Sequence, residues 1–155
     1  MIDRTTVWTP RVTVASILER EGRFLLVEES VGGRLVLNQP AGHLEDDESL
    51  LAAVVRETRE ETAWAFIPEA LVGVYRWRTP DKTFLRFVFC GRADGHDPHQ
   101  ALDPDINRAV WLSWEELRAG HFEMRSPLVL RCLEDYRDGQ RFPLELMQDV
   151  PGTAG

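Results

Sequence analysis

Three glutamates near the middle of the chain constrain its fold more than any other feature. Glu57, Glu60 and Glu61 are spaced at i, i+3 and i+4, and residues at this spacing are neighbours on the surface of an α-helix. Three adjacent carboxylates repel one another and do not all stay ionised without a cation. Oxygen ligands on a rigid helix suit Mg²⁺, or Mn²⁺ as a substitute, which takes its remaining ligands from water and substrate phosphates. The spacing therefore predicts a helix that carries a metal site.

The sequence around the glutamates supports this helix. An acidic run alone is most often a solvated helix face, so the flanking residues matter. Asp46 and Asp47 precede the helix and are expected to cap its first turn. Its buried stripe is expected to consist of Leu50, Leu51, Val54, Val55 and Thr58.

The rest of the chain alternates between strand-like and helix-like segments. Apolar, β-branched or alternating stretches predict strands at 12–18, 23–29, 34–38, 70–77, 84–93 and 108–113. Short helices are expected at 114–120, after a capping box of Ser113 and Glu116, and at 127–138. A polar surface loop is expected at 94–105. We expect one domain over 1–155 with a loose tail from about 149, built as a mixed β-sheet between helices, α/β or α+β in class.

Bulk properties exclude several classes of protein. The net charge of −8 argues against binding nucleic acid polymers, and no apolar run is long enough to cross a membrane. The N-terminus has no signal-peptide pattern, which favours a cytoplasmic location. Cys90 and Cys132 are isolated in apolar segments and are expected to be buried free thiols.

A longer pattern encloses the three glutamates. Gly42, Glu48 and Arg56 precede Glu57, Glu60 and Glu61 at intervals that match G-x5-E-x7-R-E-U-x-E-E-x-G-U, where U is a bulky apolar residue. This segment resembles the signature of the Nudix hydrolases. Two positions depart from it, because Thr58 stands where an aliphatic residue is usual and Ala63 replaces the closing glycine. A left-handed Ala63 costs roughly 1 kcal/mol.

The resemblance implies the fold and the role of each matched residue. It implies an α/β/α sandwich in which Glu57, Glu60 and Glu61 bind the metal, often joined by the Gly42 carbonyl. Arg56 is then structural and orients a glutamate, and Glu48 faces the same site or braces it. The general base is Glu57 or an acid on a later loop. Asp103 and Asp105 are loop acids, but turn formation in solvent is the expected role of both.

The similarity extends beyond the signature to one bacterial phosphatase branch of the family. The stretches LNQPAGHLE, TPDKTFLRFVF, RSPLV and GQRFPLE carry it, from about residue 12 to 147. The resemblance implies hydrolysis of nucleoside di- and triphosphates and of the thiamine-precursor pyrimidine pyrophosphate, with release of orthophosphate. The partner is then a small phosphorylated metabolite, and the protein is a monomer or homodimer.

Several residues outside the signature are candidates for substrate contacts. Trp77 and Phe84 are expected on strands and can stack on a planar base or pack in the core. Strand alternation places Phe84 and Arg86 on one face. The substrate-binding candidates are Gln39, Arg76, Trp77, Phe84 and Arg86, with Lys82 and Arg125 as further cations and His43 near the metal.

Two other functions remain open from the sequence. One is a different Nudix pyrophosphohydrolase, acting on oxidised nucleotides, ADP-ribose or dinucleoside polyphosphates, because the signature does not set specificity. The other is a nucleotide-sensing Nudix module without catalysis. Such modules usually lose signature glutamates, and here none is missing.

Overall fold

The structure is a computed structural model that describes residues 6–152. Within these residues the chain forms seven strands, three α-helices and a short 3₁₀ turn. In chain order they are β1 (Arg11–Arg20), β2 (Arg23–Val31), β3 (Arg34–Asn38), β4 (Ala41–His43), α1 (Leu50–Thr62), β5 (Trp64–Arg78), β6 (Thr83–His96), β7 (Ile106–Ser113), α2 (Trp114–Arg118), α3 (Leu128–Arg137) and the 3₁₀ turn Leu144–Leu146. Residues 149–152 have no regular secondary structure, and the rest of the predicted tail lies outside the described residues.

Strand β1 is the centre of a seven-stranded mixed sheet. The strand order is β3-β2-β1-β6-β5, with β4 also paired to β1 and β7 paired to β2. The β1–β6 pair is parallel, and the others are antiparallel. Thr13–Ala15 of β1 pair with β4, whereas Glu19 and Arg20 pair with β2. Because β1 changes partner along its length, the sheet divides, and a cleft is lined by strands of both parts.

Helices cover both faces of the sheet. Val14 and Leu18 of β1 pack in one core with Ala53 and Val54 of α1. The alternate β1 residues Ala15 and Ile17 belong to a second core that includes residues of α2 and α3. Side chains alternate between the two faces of a strand, so β1 is buried on both sides. The predicted α/β/α sandwich with a mixed sheet is confirmed.

Helix α1 begins later than the sequence suggested. Ser49 is its N-cap, and the Ser49 hydroxyl accepts a hydrogen bond from the backbone N–H of Ala52 at 3.0 Å. Asp46 and Asp47 lie in the preceding turn and are exposed, so the prediction that they cap the helix is wrong. An N-cap must directly precede the first helical turn, and only Ser49 stands there.

The buried side of α1 is also rotated relative to the predicted stripe. Val54 and Thr58 are buried as expected, but Leu50, Leu51 and Val55 are only partly buried. The buried side of the helix consists of Ala53, Val54, Glu57, Thr58, Glu61 and Thr62. Glu57 and Glu61 therefore face the protein interior. Hydrophobic periodicity alone does not predict this.

The hydroxyl of Thr58 has hydrogen-bond partners, although the family pattern has an aliphatic residue at this position. Its hydroxyl donates to the carbonyl of Val54 at 2.7 Å and lies 2.8 Å from the hydroxyl of Ser16 on β1. Ser16 is therefore the donor to Thr58. A buried hydroxyl without a partner would destabilise the core, so Thr58 and Ser16 depend on each other.

Ala63 ends α1 in the left-handed conformation, with φ 61°. Its backbone N–H donates to the carbonyl of Arg59 at 2.8 Å, and the chain continues at once into β5, which starts earlier than predicted. Ala63 thus takes the role of the closing glycine.

Two further local predictions, the cap of α2 and the burial of the cysteines, are also confirmed. Ser113 caps α2 by accepting from the N–H of Glu116 at 3.1 Å. Cys90 and Cys132 are buried and free. Between residues 6 and 152 no helix is long and apolar enough to span a membrane.

The left-handed alanine gives a stability prediction. Ala63→Gly should leave the free energy of unfolding unchanged or raise it by up to about 1 kcal/mol, because glycine removes the conformational strain. Ala52→Gly is the matched control: Ala52 is exposed inside the same helix and should lose about 1 kcal/mol. Urea and thermal unfolding of both variants measure this. A drop for Ala63→Gly as large as the control's would contradict the assignment of strain to Ala63.

Candidate metal centre and active-site cleft

Two of the three predicted glutamates face the interior of the cleft. Glu57 and Glu61 are 9% and 7% exposed, whereas the Glu60 side chain is 42% exposed. Asp103, on the loop before β7, joins the two buried acids. One carboxylate oxygen each of Glu57, Glu61 and Asp103 lie within 4.8 Å of one another. These three residues are called the acidic trio below.

The loop that carries Asp103 is attached to the end of α1. The N–H of Asp103 donates to the carbonyl of Glu60 at 3.0 Å, and the N–H of Asp97 donates to the carbonyl of Ala63 at 3.0 Å. The Gln100 side chain donates to the carbonyl of Arg59 at 2.6 Å. The last carbonyls of a helix have no partner within the helix, so the loop satisfies them. This attachment places Asp103 beside the glutamates of α1.

Strand β4 fixes the two glutamates from the other side. The N–H of Ala41 donates to Oε1 of Glu61 at 2.8 Å. A Cβ atom added to Gly42 would lie 2.1 Å from the carboxyl carbon of Glu57, which is far inside van der Waals contact. The signature glycine is therefore required because the Glu57 carboxylate packs directly against the backbone of β4.

Arg56 connects the acids of the signature. Its Nε donates to Glu48 at 2.9 Å, and its Nη1 donates to Glu57 at 2.8 Å and to Glu60 at 3.2 Å. Its Nη2 donates to the carbonyl of His43 at 3.2 Å and also to Glu48. The planar guanidinium thereby holds three carboxylates in fixed directions. Glu48 does not belong to the acidic trio; it braces Arg56.

The electrostatics of the trio favour a proton or a cation. Burial raises the pKa of Glu61 to about 9, against the opposing effect of the Ala41 N–H, and Glu29, Glu57 and Asp103 raise this pKa further. Burial also raises the pKa of Glu57, although the Arg56 guanidinium counteracts it. A raised pKa means that the surroundings do not stabilise the negative charge of the carboxylate. A divalent cation would supply the missing charge, and three carboxylate oxygens at this spacing suit a hard ion.

The rest of the cleft offers aromatic and cationic groups. Its volume is about 920 Å³, within the usual range of ligand sites. Trp77 and Phe84 are direct neighbours across β5 and β6. Their rings stack with centroids 5.5 Å apart. Arg86 lines the same cleft as Phe84, as strand alternation predicted.

Comparison with known proteins now identifies the chain. The NUDIX domain family matches residues 8–132. The chain belongs to the Nudix hydrolase family. It is 44% identical over 152 residues to proteins named phosphatase NudJ from Escherichia coli K12 and from Shigella flexneri, covering 96% of this chain and 99% of theirs.

Solved structures agree with this family assignment. A Nudix hydrolase from Nitrosomonas europaea is 46% identical, with a TM-score of 0.90, over 94% of this chain and all of that one. A MutT Nudix hydrolase from Burkholderia pseudomallei has a TM-score of 0.71 at 21% identity over 83% of this chain and 98% of that one, which shows a shared fold. The chain is thus a hydrolase of the Nudix class.

Two substrate-binding predictions need correction in this Nudix hydrolase. Gln39 is fully buried and does not line the cleft; its amide donates to the carbonyl of Val129 at 2.7 Å and accepts from Arg86 at 3.3 Å. Arg76 is exposed and next to Trp77 in β5, so it points to the opposite face of the sheet. Both predictions rested on residue type, which does not reveal burial or the face of a strand.

Three residues of the cleft, Glu29, Asn38 and Asp103, were not expected to have a role there. Asp103 does form a turn, with its carbonyl accepting from Ile106, but it also joins the trio. Glu29 and Asn38 line the cleft unpredicted. The sequence gives one weak signal for Asn38, its position directly before Gln39. Glu29 follows an irregularity in the pairing of β2 with β7, which the sequence does not mark.

The raised pKa of Glu61 predicts how stability depends on pH without metal. Because the folded protein holds a proton that the unfolded chain releases near pH 4.5, stability falls as pH rises from about 4.5 to about 9. One such proton changes the free energy of unfolding by at most about 1.4 kcal/mol per pH unit. In EDTA, the melting temperature should fall between pH 7 and 9. Glu61→Gln should reduce this slope, and Mg²⁺ should abolish most of it. An equal slope in the variant would exclude Glu61 as the source.

The close contact at Gly42 predicts a loss of metal affinity on substitution. Gly42→Ala should displace the Glu57 carboxylate and weaken Mn²⁺ binding by about tenfold or more, as measured by electron paramagnetic resonance titration. Gly152→Ala, where an added Cβ meets nothing within 4 Å, is the control and should bind Mn²⁺ normally. Unchanged affinity in Gly42→Ala would show that Glu57 is not a ligand.

Proposed function

We propose that this enzyme hydrolyses a phosphoanhydride bond in nucleoside di- and triphosphates, or in the thiamine-precursor pyrimidine pyrophosphate, and releases orthophosphate with the help of Mg²⁺. The observation that supports this most is the acidic trio in one cleft with a stacked aromatic pair and several cations. The similarity to proteins named phosphatase supports orthophosphate as a product.

Glu57, Glu61 and Asp103 are the residues proposed to hold the metal. The family resemblance adds Glu60 and the Gly42 carbonyl to this set, and Glu60 is near enough to share Arg56 with Glu57. A bound divalent cation supplies charge neutralisation at the phosphate oxygens and lowers the pKa of a coordinated water. Mn²⁺ should substitute for Mg²⁺ because both prefer oxygen ligands.

Asp103 is the proposed acceptor of the proton from the attacking water. Glu57 is the other acid that the sequence allowed for this role, but Arg56 donates to its Oε1 at 2.8 Å. This oxygen of Glu57 is therefore already occupied by a charge-assisted hydrogen bond. Asp103 offers one carboxylate oxygen to the trio, which leaves its second oxygen to accept the proton.

Trp77 and Phe84 are proposed to bind the planar ring of the substrate. Each ring uses one face to stack on the other, and both rings line the cleft. Lys82 follows the turn between β5 and β6 and also lines the cleft. It can neutralise the phosphate chain from the exposed side.

Product analysis separates this proposal from its alternatives. Purified enzyme with Mg²⁺ is offered nucleoside di- and triphosphates, the pyrimidine pyrophosphate, oxidised nucleotides, ADP-ribose and a dinucleoside polyphosphate, and products are identified by ³¹P NMR. Orthophosphate from the first two groups supports the proposal. Pyrophosphate and a monophosphate from a triphosphate would instead support a sanitiser of oxidised nucleotides. Thermal stabilisation by metal without any hydrolysis would support a sensing module.

Variants of the acids test the roles of individual side chains. Glu60→Gln, Glu61→Gln and Asp103→Asn should each lower kcat by about 10²-fold or more, because they remove charge at the metal. Asp105→Asn is the matched control on the same loop, since Asp105 lines the cleft but does not belong to the trio. Its kcat should stay within a few-fold of the wild type. Equal losses in both loop variants would contradict the special role of Asp103.

A further inference from the structure

A buried arginine forms part of the wall of the cleft. Arg86 is only 5% exposed and lies in β6 between Thr13 of β1 and Tyr75 of β5. Burying a guanidinium normally requires a paired carboxylate, because an uncompensated buried charge is strongly destabilising. The partners of Arg86 are therefore informative.

Arg86 has only neutral partners among residues 6–152. Its Nη2 donates to the side-chain oxygen of Asn38 at 3.1 Å and to that of Gln39 at 3.3 Å. Its Nε is buried and has no acceptor in the described part of the chain. None of its nitrogens lies within 4.0 Å of a carboxylate oxygen there, and Glu29 of the same cleft pairs with Arg125 instead. The guanidinium thus has unused donors and no direct carboxylate contact, although the charges of Glu29 and Glu61 act on it from a distance.

Gln39 holds the guanidinium in place. Its side-chain nitrogen donates to the carbonyl of Val129 in α3 at 2.7 Å. Because a carbonyl only accepts hydrogen bonds, the amide nitrogen must face Val129 and the amide oxygen must face Arg86. Helix α3 therefore fixes the orientation of Gln39, and Gln39 fixes Arg86. This explains why a glutamine that never lines the cleft is fully buried behind it.

The cations of the cleft differ in depth. Lys82 is exposed, and the Arg125 side chain is 44% exposed and lies 3.8 Å from Glu29. Arg86 is the most buried of the three and has no such carboxylate. Along β6 the order from the turn inwards is Lys82, Phe84 and Arg86. Alternate residues on one strand face are about 7 Å apart, so Arg86 is within reach of the phosphates of a substrate whose ring stacks on Phe84.

We infer that Arg86 is a specificity-determining residue that binds the terminal phosphate of the substrate, with Gln39 as its positioning residue. This inference rests on the proposed function. A terminal phosphate ends the molecule and carries three unesterified oxygens, so it needs no space beyond the guanidinium. An internal or esterified phosphate has a further group attached, which the buried position of Arg86 leaves little room to accommodate. The enzyme should therefore prefer diphosphates with a free end over diesters of pyrophosphate.

The free Nε–H of Arg86 can report on binding in the wild-type protein. The probe is α,β-methylene-ADP with Mg²⁺, which has a free terminal phosphate, and the comparison compound is the methyl ester of its β-phosphate. In side-chain ¹H–¹⁵N spectra, the first should shift the Arg86 Nε–H resonance and the second should shift it much less. The Arg76 resonance, on the opposite face, should not move. A stationary Arg86 resonance at saturation, or equal shifts with both compounds, would overturn the inference, as would failure of the analogue to bind.

Substitution tests the same inference by affinity. Arg86→Gln and Arg86→Lys should each weaken binding of α,β-methylene-ADP by about tenfold or more, since Gln removes the charge and Lys lacks the planar guanidinium that Asn38 and Gln39 hold in place. Binding of the methyl ester should change much less. Arg76→Gln is the matched control and should bind both compounds as the wild type does. Thermal melting shows whether each Arg86 variant is folded, and the spectra of the wild type decide the question if neither is.

The proposed function and the phosphate site at Arg86 can fail separately. If the wild type binds the analogue through Arg86 but hydrolyses no phosphoanhydride, the proposed function is wrong and the phosphate site stands. If the wild type releases orthophosphate while Arg86→Gln binds and reacts equally well, the phosphate site is wrong and the hydrolase stands.

Discussion

The contact between the Glu57 carboxylate and the backbone of Gly42 is the constraint on which the site depends. It leaves no room for a side chain at position 42, because the Glu57 carboxylate lies directly against the backbone there. The same approach lets the N–H of Ala41 reach Glu61. Arg56 offsets the repulsion among the neighbouring acids, because it donates hydrogen bonds to Glu48, Glu57 and Glu60. Close packing and one guanidinium thereby hold carboxylates in positions that their charges alone would not allow.

The cleft divides its charges by location. The acidic trio lies where α1 meets the loop before β7. Burial disfavours the uncompensated carboxylate anions, so a cation would stabilise them. Arg86 lies on β6 and has no acidic partner within 4.0 Å in the described residues. A phosphorylated substrate bridged to the trio by a metal would thus meet positive charge from two directions. This arrangement suits a molecule with several anionic oxygens.

The predictable parts of this protein are those with a local cause. The glutamate spacing indicated α1, the Ser113 and Glu116 pair indicated α2, and the alternation along β6 placed Phe84 with Arg86. The errors arose where distant segments decide the outcome. Asp103 reaches the trio only because its loop binds the end of α1, about 40 residues earlier in the chain. Gln39 was taken for a substrate contact because its partner Val129 cannot be found from the sequence. Asp46 and Asp47 have the right chemistry for a cap, but Ser49 has the right position.

The attachment of the Asp103 loop to the carbonyls of α1 also bears on how the protein folds. These hydrogen bonds join segments separated by about 40 residues, and such closures carry an entropic cost before they bring stability. The helix can form early from local interactions, whereas the loop can reach it only after β5 and β6 have paired and returned the chain. We therefore expect completion of the acidic trio to be a late event in folding. A nascent or partly unfolded chain would have little affinity for metal, and chemistry would begin only in molecules whose sheet is fully assembled.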